Sequence, residues 1–362
     1  MSLDDQIPCL RTIGWRDADR PDVPETVGED ARVARVVAQH RTGYEVHDGI
    51  DLIEANIPSS LRKPRIAADQ RPAVGDWVWI GPADDGGQMV RAIIPRRSML
   101  RRGAAGEKHR AQIIATNVDY VLIVCGLDGD FNPRRIERYL AIVQESGATP
   151  VVLLTKADLQ EDVEAARAAV VDAAGEVVPV HTINAKSPDT IALLAPYLSP
   201  GNTLVLVGSS GAGKSTLTNT LLGRERMRTN EVRENDSRGR HTTTHRALLQ
   251  LPGGACLIDT PGMREIKLFG EEALDVAVFA DIDALESQCR FSDCSHQNEP
   301  GCAINAALAD GSLDPDRYGN YLKLRAEQAA AQLRGAAADK RAADRVVHKA
   351  FGKRLTEKYG RR

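Results

Sequence analysis

A glycine-rich segment that carries a lysine and adjacent hydroxyl residues lies near the middle of the chain. Its sequence is Gly208-Ser209-Ser210-Gly211-Ala212-Gly213-Lys214-Ser215-Thr216. A strand-like apolar run at 203–207 precedes it and a helical run at 217–222 follows it, which is the context that a phosphate-binding loop requires. In such a loop the backbone N–H groups surround the phosphate oxygens, Lys214 contacts the β- and γ-phosphates, and the Ser215 hydroxyl ligates Mg²⁺. The segment therefore predicts that the chain binds nucleotide phosphates.

A second motif, Thr155-Lys156-Ala157-Asp158, follows a predicted strand at 151–154 and precedes the phosphate loop. It is similar to the guanine-recognition motif Asn-Lys-x-Asp of GTPases, with threonine in the asparagine position. The Asp158 carboxylate can accept hydrogen bonds from the ring N–H and the exocyclic amine of guanine. Adenine offers no such pair, so Asp158 would select GTP over ATP. The change from asparagine to threonine removes some hydrogen bonds that brace the loop, and an ordinary strand-to-helix loop explains the motif equally well when it is taken alone.

Two further segments fit the same site. Asn184-Ala185-Lys186, after the next predicted strand, fits a supporting base loop in which the Ala185 N–H meets the guanine carbonyl. Asp259-Thr260-Pro261-Gly262 follows an apolar strand downstream of the phosphate loop. In GTPases the acidic residue at this place holds Mg²⁺ and the glycine N–H contacts the γ-phosphate. A plain turn is the alternative explanation of this second segment.

The polar stretch between these motifs, 224–244, contains Arg238-Gly239-Arg240-His241-Thr242-Thr243-Thr244. A hydroxyl from it would complete the Mg²⁺ coordination when GTP is bound and let go after hydrolysis. We favour Thr243, although the sequence does not separate the three consecutive threonines. The residue after Gly262 is Met263, which cannot orient water as the glutamine of Ras-type GTPases does, so slow intrinsic turnover and activation by a partner are expected. His241 is a candidate catalytic residue that orients the water, and bracing of the loop or contact with RNA is the alternative.

The order of the motifs departs from that of ordinary GTPases, in which the phosphate loop comes first and the base motif last. Strands and helices alternate from about residue 117, which predicts a doubly wound, mainly parallel sheet. Since each motif lies at the end of its own strand, joining the old termini and cutting the chain elsewhere leaves the site intact. We therefore predict a circularly permuted α/β P-loop GTPase domain at 111–280.

The regions before this domain predict two further parts of the chain. Five short, partly alternating strands between 32 and 94 indicate a small closed β-barrel domain at 30–110, of the OB-fold type, with an SH3-like barrel as the rival. The barrel domain ends in a basic linker at 96–110, which suits RNA phosphates unless it is a solvated charged loop. Residues 1–29 are acidic and lack periodicity, so we expect a poorly ordered extension.

Three of the six cysteines lie in one polar loop together with a histidine. The four residues are Cys289, Cys294, His296 and Cys302. Tetrahedral Zn²⁺ takes four such ligands, and a full set makes the metal structural. The region 281–362 is therefore predicted to be a mainly helical zinc-binding domain. It ends in an amphipathic basic helix at 339–362, for which contact with RNA or a partner is one hypothesis and packing on the zinc domain is the other.

Composition limits the remaining function classes. The net charge is −3, so the basic residues matter by their position and not through a global field. No apolar run approaches the length of a bilayer span, and the acidic N-terminus differs from a signal or transit peptide. We expect a cytoplasmic protein that does not bind a membrane.

Taken together, these motifs resemble those of the ribosome small-subunit-dependent GTPase A family across almost the whole chain. Besides the GTP motifs, the resemblance rests on Gly75-Asp76-Trp77, Gly239–Thr244, Cys289–His296 and Glu299-Pro300-Gly301-Cys302. It implies a GTPase that binds the 30S ribosomal subunit and its rRNA, acts late in subunit maturation and is stimulated by the subunit. GTP and GDP, Mg²⁺ and one structural Zn²⁺ are the expected ligands, and a monomer is the expected state.

Two other function classes stay open at this point. The protein could be a GTP-gated RNA-binding scaffold in which hydrolysis only times release. An ATP-dependent transporter subunit or a small-molecule kinase would share the phosphate loop but would have no use for the base motif, the zinc loop and the basic regions.

Overall fold

The computed structural model describes residues 3–326 except 18–19, 22, 25–26, 29, 41–42, 62–65, 84–85, 104–110, 129–130, 176, 225–245, 260–278, 292 and 298. Several predictions from the sequence lie outside the described residues. They are those for His241, Thr243, Gly262 and the basic helix at 339–362.

The chain divides into two compact units. One is formed by residues 1–101 and 113–266, and the other by residues 102–112 and 267–362. The barrel and the nucleotide-binding sheet both belong to the first unit, and the domain boundaries drawn from the sequence stay predictions. Among the helices that the structure describes, none has the length and apolar character needed to cross a membrane.

The first unit contains a barrel whose strands have the predicted positions. They are β1 (Arg32–Gln39), β2 (Tyr44–His47), β3 (Leu52–Asn56), β4 (Trp77–Pro82) and β5 (Gln88–Ile93). The hydrogen-bonded order is β1-β2-β3-β5-β4, and β4 pairs again with β1, so the barrel is closed. β3 and β5 are parallel, whereas the other neighbours are antiparallel. This five-stranded Greek-key order is that of the OB-fold type and decides against the SH3-like rival.

The N-terminal segment packs against the barrel, so the expectation of a poorly ordered extension is wrong. It forms helix α1 (Leu3–Arg11), and the side chains of Leu10, Ile13 and Trp15 are at most 3% exposed. The Trp15 ring meets that of Trp77 edge to face, with ring centroids 4.8 Å apart. The packing could not be predicted from the sequence, because it depends on a few large side chains that form no repeating apolar pattern.

Two arginines of the basic linker pair with carboxylates of the same unit. Arg96 forms two hydrogen bonds of 2.7 Å with the fully buried Asp76, and Arg97 lies 2.7 Å from Asp119. The expected RNA contact is therefore wrong for Arg96, whose side chain is only 11% exposed. The chain then forms a two-stranded sheet of β6 (Met99–Gly103) and β7 (Ala111–Thr116).

Six strands follow that form the predicted, mainly parallel sheet. They are β8 (Tyr120–Gly126), β9 (Thr149–Thr155), β10 (Val180–Thr182), β11 (Thr203–Gly208), β12 (Ala247–Gln250) and β13 (Cys256–Asp259). Their order is β10-β9-β8-β11-β13-β12, and every neighbouring pair is parallel except β13 with β12. The strand β12 also pairs with β1 of the barrel, at Ala247 and Ala38, so barrel and sheet share one continuous set of eleven strands.

Helices cover both faces of this sheet, as a doubly wound fold requires. They are α2 (Pro133–Glu145), α3 (Val163–Ala174), α4 (Asp189–Leu194) and α5 (Lys214–Leu222). The helix α2 begins with Pro133, and the Asn132 side chain accepts a backbone hydrogen bond as its cap. On one face Leu122 and Leu204 pack with Leu217 of α5. Val121 and Ile123, the neighbours of Leu122 in β8, point to the other face of the sheet. They are also fully buried, because α2 packs against β8 and β9.

Three helices of the second unit surround a small apolar core. They are α6 (Ala280–Ser287), α7 (Ala303–Asp310) and α8, which the structure describes at 315–326. Phe279, Ile304 and Leu324 are at most 1% exposed. Arg317 of α8 forms two hydrogen bonds of 2.9 Å with Asp281 of α6. This mainly helical region holds the cysteine-rich loop, as predicted.

Replacing Trp15 by alanine should destabilise the barrel by about 3–5 kcal/mol, because it leaves a cavity against Trp77. The three tryptophans of the chain, Trp15, Trp77 and Trp79, are all buried in or against the barrel. Tryptophan fluorescence during denaturant unfolding therefore reports on the barrel. Val23→Ala, at a side chain that is 61% exposed, is the control and should change stability by less than about 0.5 kcal/mol. Equal stability of the two variants would contradict the packing of the N-terminal segment.

Candidate nucleotide site and zinc centre

The phosphate loop connects β11 to α5 in a conformation that requires glycine at both ends. Gly208 has a φ of +141°, and a Cβ there would lie 2.1 Å from the Val124 carbonyl oxygen of β8. Gly213 has a φ of +95° and immediately precedes the first turn of α5. The N–H groups of that first turn have no partner within the helix, and the helix dipole adds partial positive charge to them. The loop therefore has the geometry of an anion site.

Lys214, the first residue of α5, directs its ammonium group over this loop. Nζ donates hydrogen bonds to the carbonyl oxygens of Gly208, at 2.8 Å, and Ser209, at 2.5 Å. Burial lowers the pKa of Lys214 to about 8. Phosphate groups in the loop would oppose this shift, because a neighbouring negative charge favours the protonated amine. Lys214 is therefore placed to bind nucleotide phosphates.

The end of β9 brings the base motif against the phosphate loop. Thr155 is 1% exposed, and its hydroxyl donates a hydrogen bond of 2.7 Å to the Ala212 carbonyl oxygen. We expected the change from asparagine to threonine to weaken the bracing of the base-motif loop. The hydroxyl of Thr155 itself supplies a bracing hydrogen bond. The bond also brings together two segments that are 57 residues apart in the chain, so one nucleotide can contact both.

The rest of the base motif turns outward from the sheet. Lys156 has a φ of +57°, in the left-handed region, and a short 3₁₀ helix follows at Ala157–Leu159. The Asp158 side chain on this turn is exposed. Its oxygens are therefore accessible to the edge of a base.

The supporting base loop lies beside both segments. The Thr220 hydroxyl of α5 donates a hydrogen bond of 2.7 Å to the Ala185 carbonyl oxygen, and the Asn184 side chain accepts one of 3.0 Å from the Lys186 N–H. A Cβ on Gly213 would lie 3.7 Å from the Ala185 Cβ. The phosphate loop, the base motif and this loop therefore meet at one edge of the sheet.

Two of the three predicted Mg²⁺ ligands lie at this edge. Ser215 is half-buried in the first turn of α5, and Asp259 ends β13, the strand next to β11. Hydroxyl and carboxylate oxygens are ligands that Mg²⁺ takes beside nucleotide phosphates. The residues therefore fit a Mg²⁺ ion that is shared with the nucleotide. The third predicted ligand, Thr243, is among the residues that the structure does not describe.

One residue near the loop was not found from the sequence. Arg135, in the first turn of α2, donates a hydrogen bond of 2.5 Å from Nη1 to the Ser209 hydroxyl. It follows the end of β8, which is the neighbour of β11. Its position in the first turn of the helix after a strand beside the phosphate-loop strand was a usable signal, because ligands of parallel sheets bind at the carboxyl ends of the strands.

The predicted zinc ligands form a compact cluster in the second unit. Cys289, Cys294, His296 and Cys302 place their ligand atoms within 4.8 Å of one another. His296 Nδ1 lies 3.6 Å from Cys289 Sγ and 3.5 Å from Cys302 Sγ. With bonds of about 2.3 Å to sulfur and about 2.1 Å to nitrogen, two ligands of a tetrahedral Zn²⁺ are about 3.6 Å apart. The cluster therefore fits one structural zinc ion.

A carboxylate that sequence reasoning missed lies behind this cluster. Glu286 Oε1 is 3.5 Å from His296 Nε2, and it accepts hydrogen bonds from the Tyr321 hydroxyl at 3.1 Å and from Arg325 at 2.9 Å. A carboxylate on the outer nitrogen of a metal-binding histidine fixes its tautomer and orientation. Glu286 lies on α6, outside the cysteine-rich loop, so the ligand spacing gave no signal for it.

Comparison with known proteins agrees with this geometry. The sequence profile of the RsgA GTPase family matches residues 93–269, and that of the ABC transporter family matches residues 194–348. The second range contains the phosphate loop but not the base motif at 155–158. The small ribosomal subunit biogenesis GTPase RsgA of Xanthomonas axonopodis pv. citri (strain 306) is 54% identical over 330 residues, which is 90% of this chain and 90% of that protein.

The chain belongs to the RsgA GTPase family. A second RsgA, from Xanthomonas euvesicatoria pv. vesicatoria (strain 85-10), is 54% identical over 333 residues, again 90% of each chain. The crystal structure of YjeQ from Thermotoga maritima has a TM-score of 0.57 and 26% identity, and covers 82% of this chain and 98% of its own. YloQ, described as a circularly permuted GTPase, has a TM-score of 0.57 and 24% identity, covers 85% and 98%, and supports the fold alone. RsgA proteins are thus similar to nearly the whole chain.

Thr155→Val should weaken GDP binding roughly tenfold, because it leaves the Ala212 carbonyl oxygen without its hydrogen bond. The measurement is titration with a fluorescent GDP analogue. Thr182→Val is the matched control, since the Thr182 hydroxyl on β10 is buried and has no hydrogen-bond partner among the described residues. Wild-type affinity in Thr155→Val would show that this bond does not hold the site together.

Cys294→Ser should reduce the zinc content from one ion per chain to well below one, because serine replaces a thiolate ligand. The content is measured by mass spectrometry of the metal after dialysis against a weak chelator. Cys9→Ser, far from the cluster in sequence, should retain one zinc. Full zinc retention in Cys294→Ser would remove this residue from the ligand set.

Proposed function

We propose that the chain hydrolyses GTP while bound to the small ribosomal subunit and acts late in the maturation of that subunit. The observation that carries the proposal is the 2.7 Å hydrogen bond from Thr155 to Ala212, which places a guanine motif against a phosphate loop. The second support is 54% identity to proteins named as small ribosomal subunit biogenesis GTPases. Binding of the 30S subunit and its rRNA, a cytoplasmic location and a monomeric state are parts of the same proposal.

The reaction is in-line attack of water on the γ-phosphate, in which the protein mainly positions groups and stabilises charge. Lys214 and the N–H groups of the phosphate loop contact the β- and γ-phosphate oxygens, where negative charge develops. Asp158 and the Ala185 N–H hold the guanine edge. A Mg²⁺ ion held by Ser215 and Asp259 would neutralise phosphate charge.

The residue that follows Gly262 is the reason why we propose stimulation by the subunit. Met263 replaces the glutamine that orients water in Ras-type GTPases, so the free protein is expected to turn over slowly. We propose His241 as the group that orients the water and Thr243 as the third Mg²⁺ ligand. Contact with the subunit would place the segment that carries both.

The same feature, Met263, favours a second candidate function. In it the chain is a GTP-gated RNA-binding scaffold, and hydrolysis only times its release. The two functions differ in whether the subunit accelerates hydrolysis or only binds the GTP form.

GTP turnover by the full chain should rise by about tenfold or more when purified 30S subunits are added, and 50S subunits serve as the control. Lys214→Ala should abolish this turnover, because charge on the γ-phosphate is no longer neutralised. ATP should not replace GTP, since Asp158 has no matching donors on adenine. Subunits that bind the GTP form but leave the rate unchanged would support the scaffold, and equal use of ATP would contradict the proposed site.

A further inference from the structure

Arg135 contacts the phosphate loop directly and has no role in the mechanism described above. Its Nη1 donates a hydrogen bond of 2.5 Å to the hydroxyl of Ser209, the second residue of the loop. The two residues are 74 positions apart in the chain. They meet because Arg135 lies in the helix that follows β8, Ser209 follows β11, and these two strands are parallel neighbours. The strand order of the sheet therefore creates this contact.

The backbone of Arg135 is held in the first turn of α2. Its N–H donates a hydrogen bond of 3.1 Å to the Asn132 carbonyl oxygen, and the next residue, Ile136, is 1% exposed. The helix dipole disfavours a cation in the first turn, and that turn of α2 contains no acidic residue to offset it. A cation at this place is stabilised when its side chain reaches an acceptor or a negative charge outside the helix. The Arg135 side chain reaches the loop that receives the phosphates.

Ser209 is hydrogen-bonded to two cationic side chains. Its hydroxyl accepts from Arg135, and its carbonyl oxygen accepts a hydrogen bond of 2.5 Å from Lys214 Nζ. The other carbonyl oxygen that holds this ammonium group belongs to Gly208, which is paired with Val124 in the sheet. Ser209 is the first residue beyond the strand, so the sheet does not fix it. The position of Lys214 Nζ therefore depends on how Ser209 is held.

The phosphate loop is braced from both neighbouring segments of the sheet edge. The Thr155 hydroxyl, at the end of β9, holds the Ala212 carbonyl oxygen, and Arg135 of α2 holds Ser209. The Ala212 N–H in turn donates a hydrogen bond of 3.3 Å to the Ser209 carbonyl oxygen. The first brace joins the loop to the base motif, whereas the second acts on the residue that holds Lys214.

We propose that Arg135 is a positioning residue for Lys214 during hydrolysis of GTP. It fixes Ser209, and the Ser209 carbonyl oxygen directs the Lys214 ammonium group toward the β- and γ-phosphate oxygens. Arg135 acts through these two residues and does not touch the phosphates. A small displacement of the ammonium group lowers the rate, because stabilisation of developing charge depends on preorganised geometry. The inference rests on the proposed function, because it concerns the same reaction.

The proposed role has a kinetic signature. Charge on the phosphate oxygens develops in the transition state, so displacement of Lys214 costs more there than in bound GTP. Arg135→Met loses a charge-assisted hydrogen bond and should lower kcat and kcat/KM for GTP by about tenfold, with KM within about twofold of wild type. A merely structural role in the loop predicts another pattern. A loosened loop binds GTP and GDP more weakly, so KM for GTP and Kd for GDP would rise together.

The test is a double-mutant cycle of Arg135→Met and Ser209→Ala, measured as kcat and KM for GTP hydrolysis by the full chain, with and without 30S subunits. Arg135 has interactions besides this hydrogen bond, and the cycle separates the contact with Ser209 from them. In the Ser209→Ala background, Arg135→Met should lower kcat by less than about twofold. Arg135→Lys should retain most of the wild-type kcat, because a single N–H donor is enough for the hydroxyl.

Arg167→Met is the matched control, because the Arg167 side chain lies on α3 and is 46% exposed. It should hydrolyse GTP as wild type does. If circular dichroism shows that Arg135→Met does not fold, Arg135→Gln takes its place in the cycle with the same expected losses.

A wild-type kcat in Arg135→Met overturns the inference and leaves the proposed function intact. The same holds for a rise in KM and in Kd for a fluorescent GDP analogue without a loss of kcat. It also holds for a tenfold loss of kcat that persists in the Ser209→Ala background. A wild-type protein that does not hydrolyse GTP overturns the inference and the proposed function together.

Discussion

A hydrogen bond from the Thr155 hydroxyl to the Ala212 carbonyl oxygen holds together two segments that the chain presents in reversed order. It forms because β9 and β11 flank β8 in one parallel sheet, so their carboxyl ends emerge at the same edge. The order of the strands along the chain does not affect this arrangement, because their order in the sheet alone brings the loops together. A GTP site can therefore survive circular permutation as long as the strand order of the sheet is kept.

The barrel is joined to this sheet through a buried arginine. Arg35 of β1 is fully buried and donates hydrogen bonds to the Thr203 hydroxyl at 2.8 Å and the Ile13 carbonyl oxygen at 2.5 Å. Its guanidinium also lies over the Trp77 ring, 4.9 Å from the centroid. Removing partners from a buried charge costs several kcal/mol, so the N-terminal segment, the barrel and the start of β11 are held in one arrangement. Because β11 ends in the phosphate loop, the barrel has a fixed position relative to the strand that carries the site.

The second unit shows how a small core is stabilised by polar contacts around a metal site. Glu286 touches His296 on one side and Tyr321 and Arg325 of α8 on the other. The pKa of the Tyr321 hydroxyl is raised, first by burial and then by the charge of Glu286, so this hydroxyl stays a neutral donor. Zinc ligation and the packing of α8 therefore depend on the same carboxylate. Such a link adds to the stability of a small helical region, because a small core alone contributes little.

The sequence by itself determined the phosphate loop, the base motif, the zinc ligands and the strand and helix pattern, because each depends on residues that are close together in the chain. It also determined the reversed motif order, which is a property of the sequence. Only the tertiary structure decided which residues hold these parts together. Trp15 packs on the barrel, Arg96 turns inward to Asp76, and Glu286 supports His296 across elements that no local pattern relates. Such contacts join side chains that are distant in the chain, so their partners are set by strand order and helix packing and are absent from any short stretch of sequence.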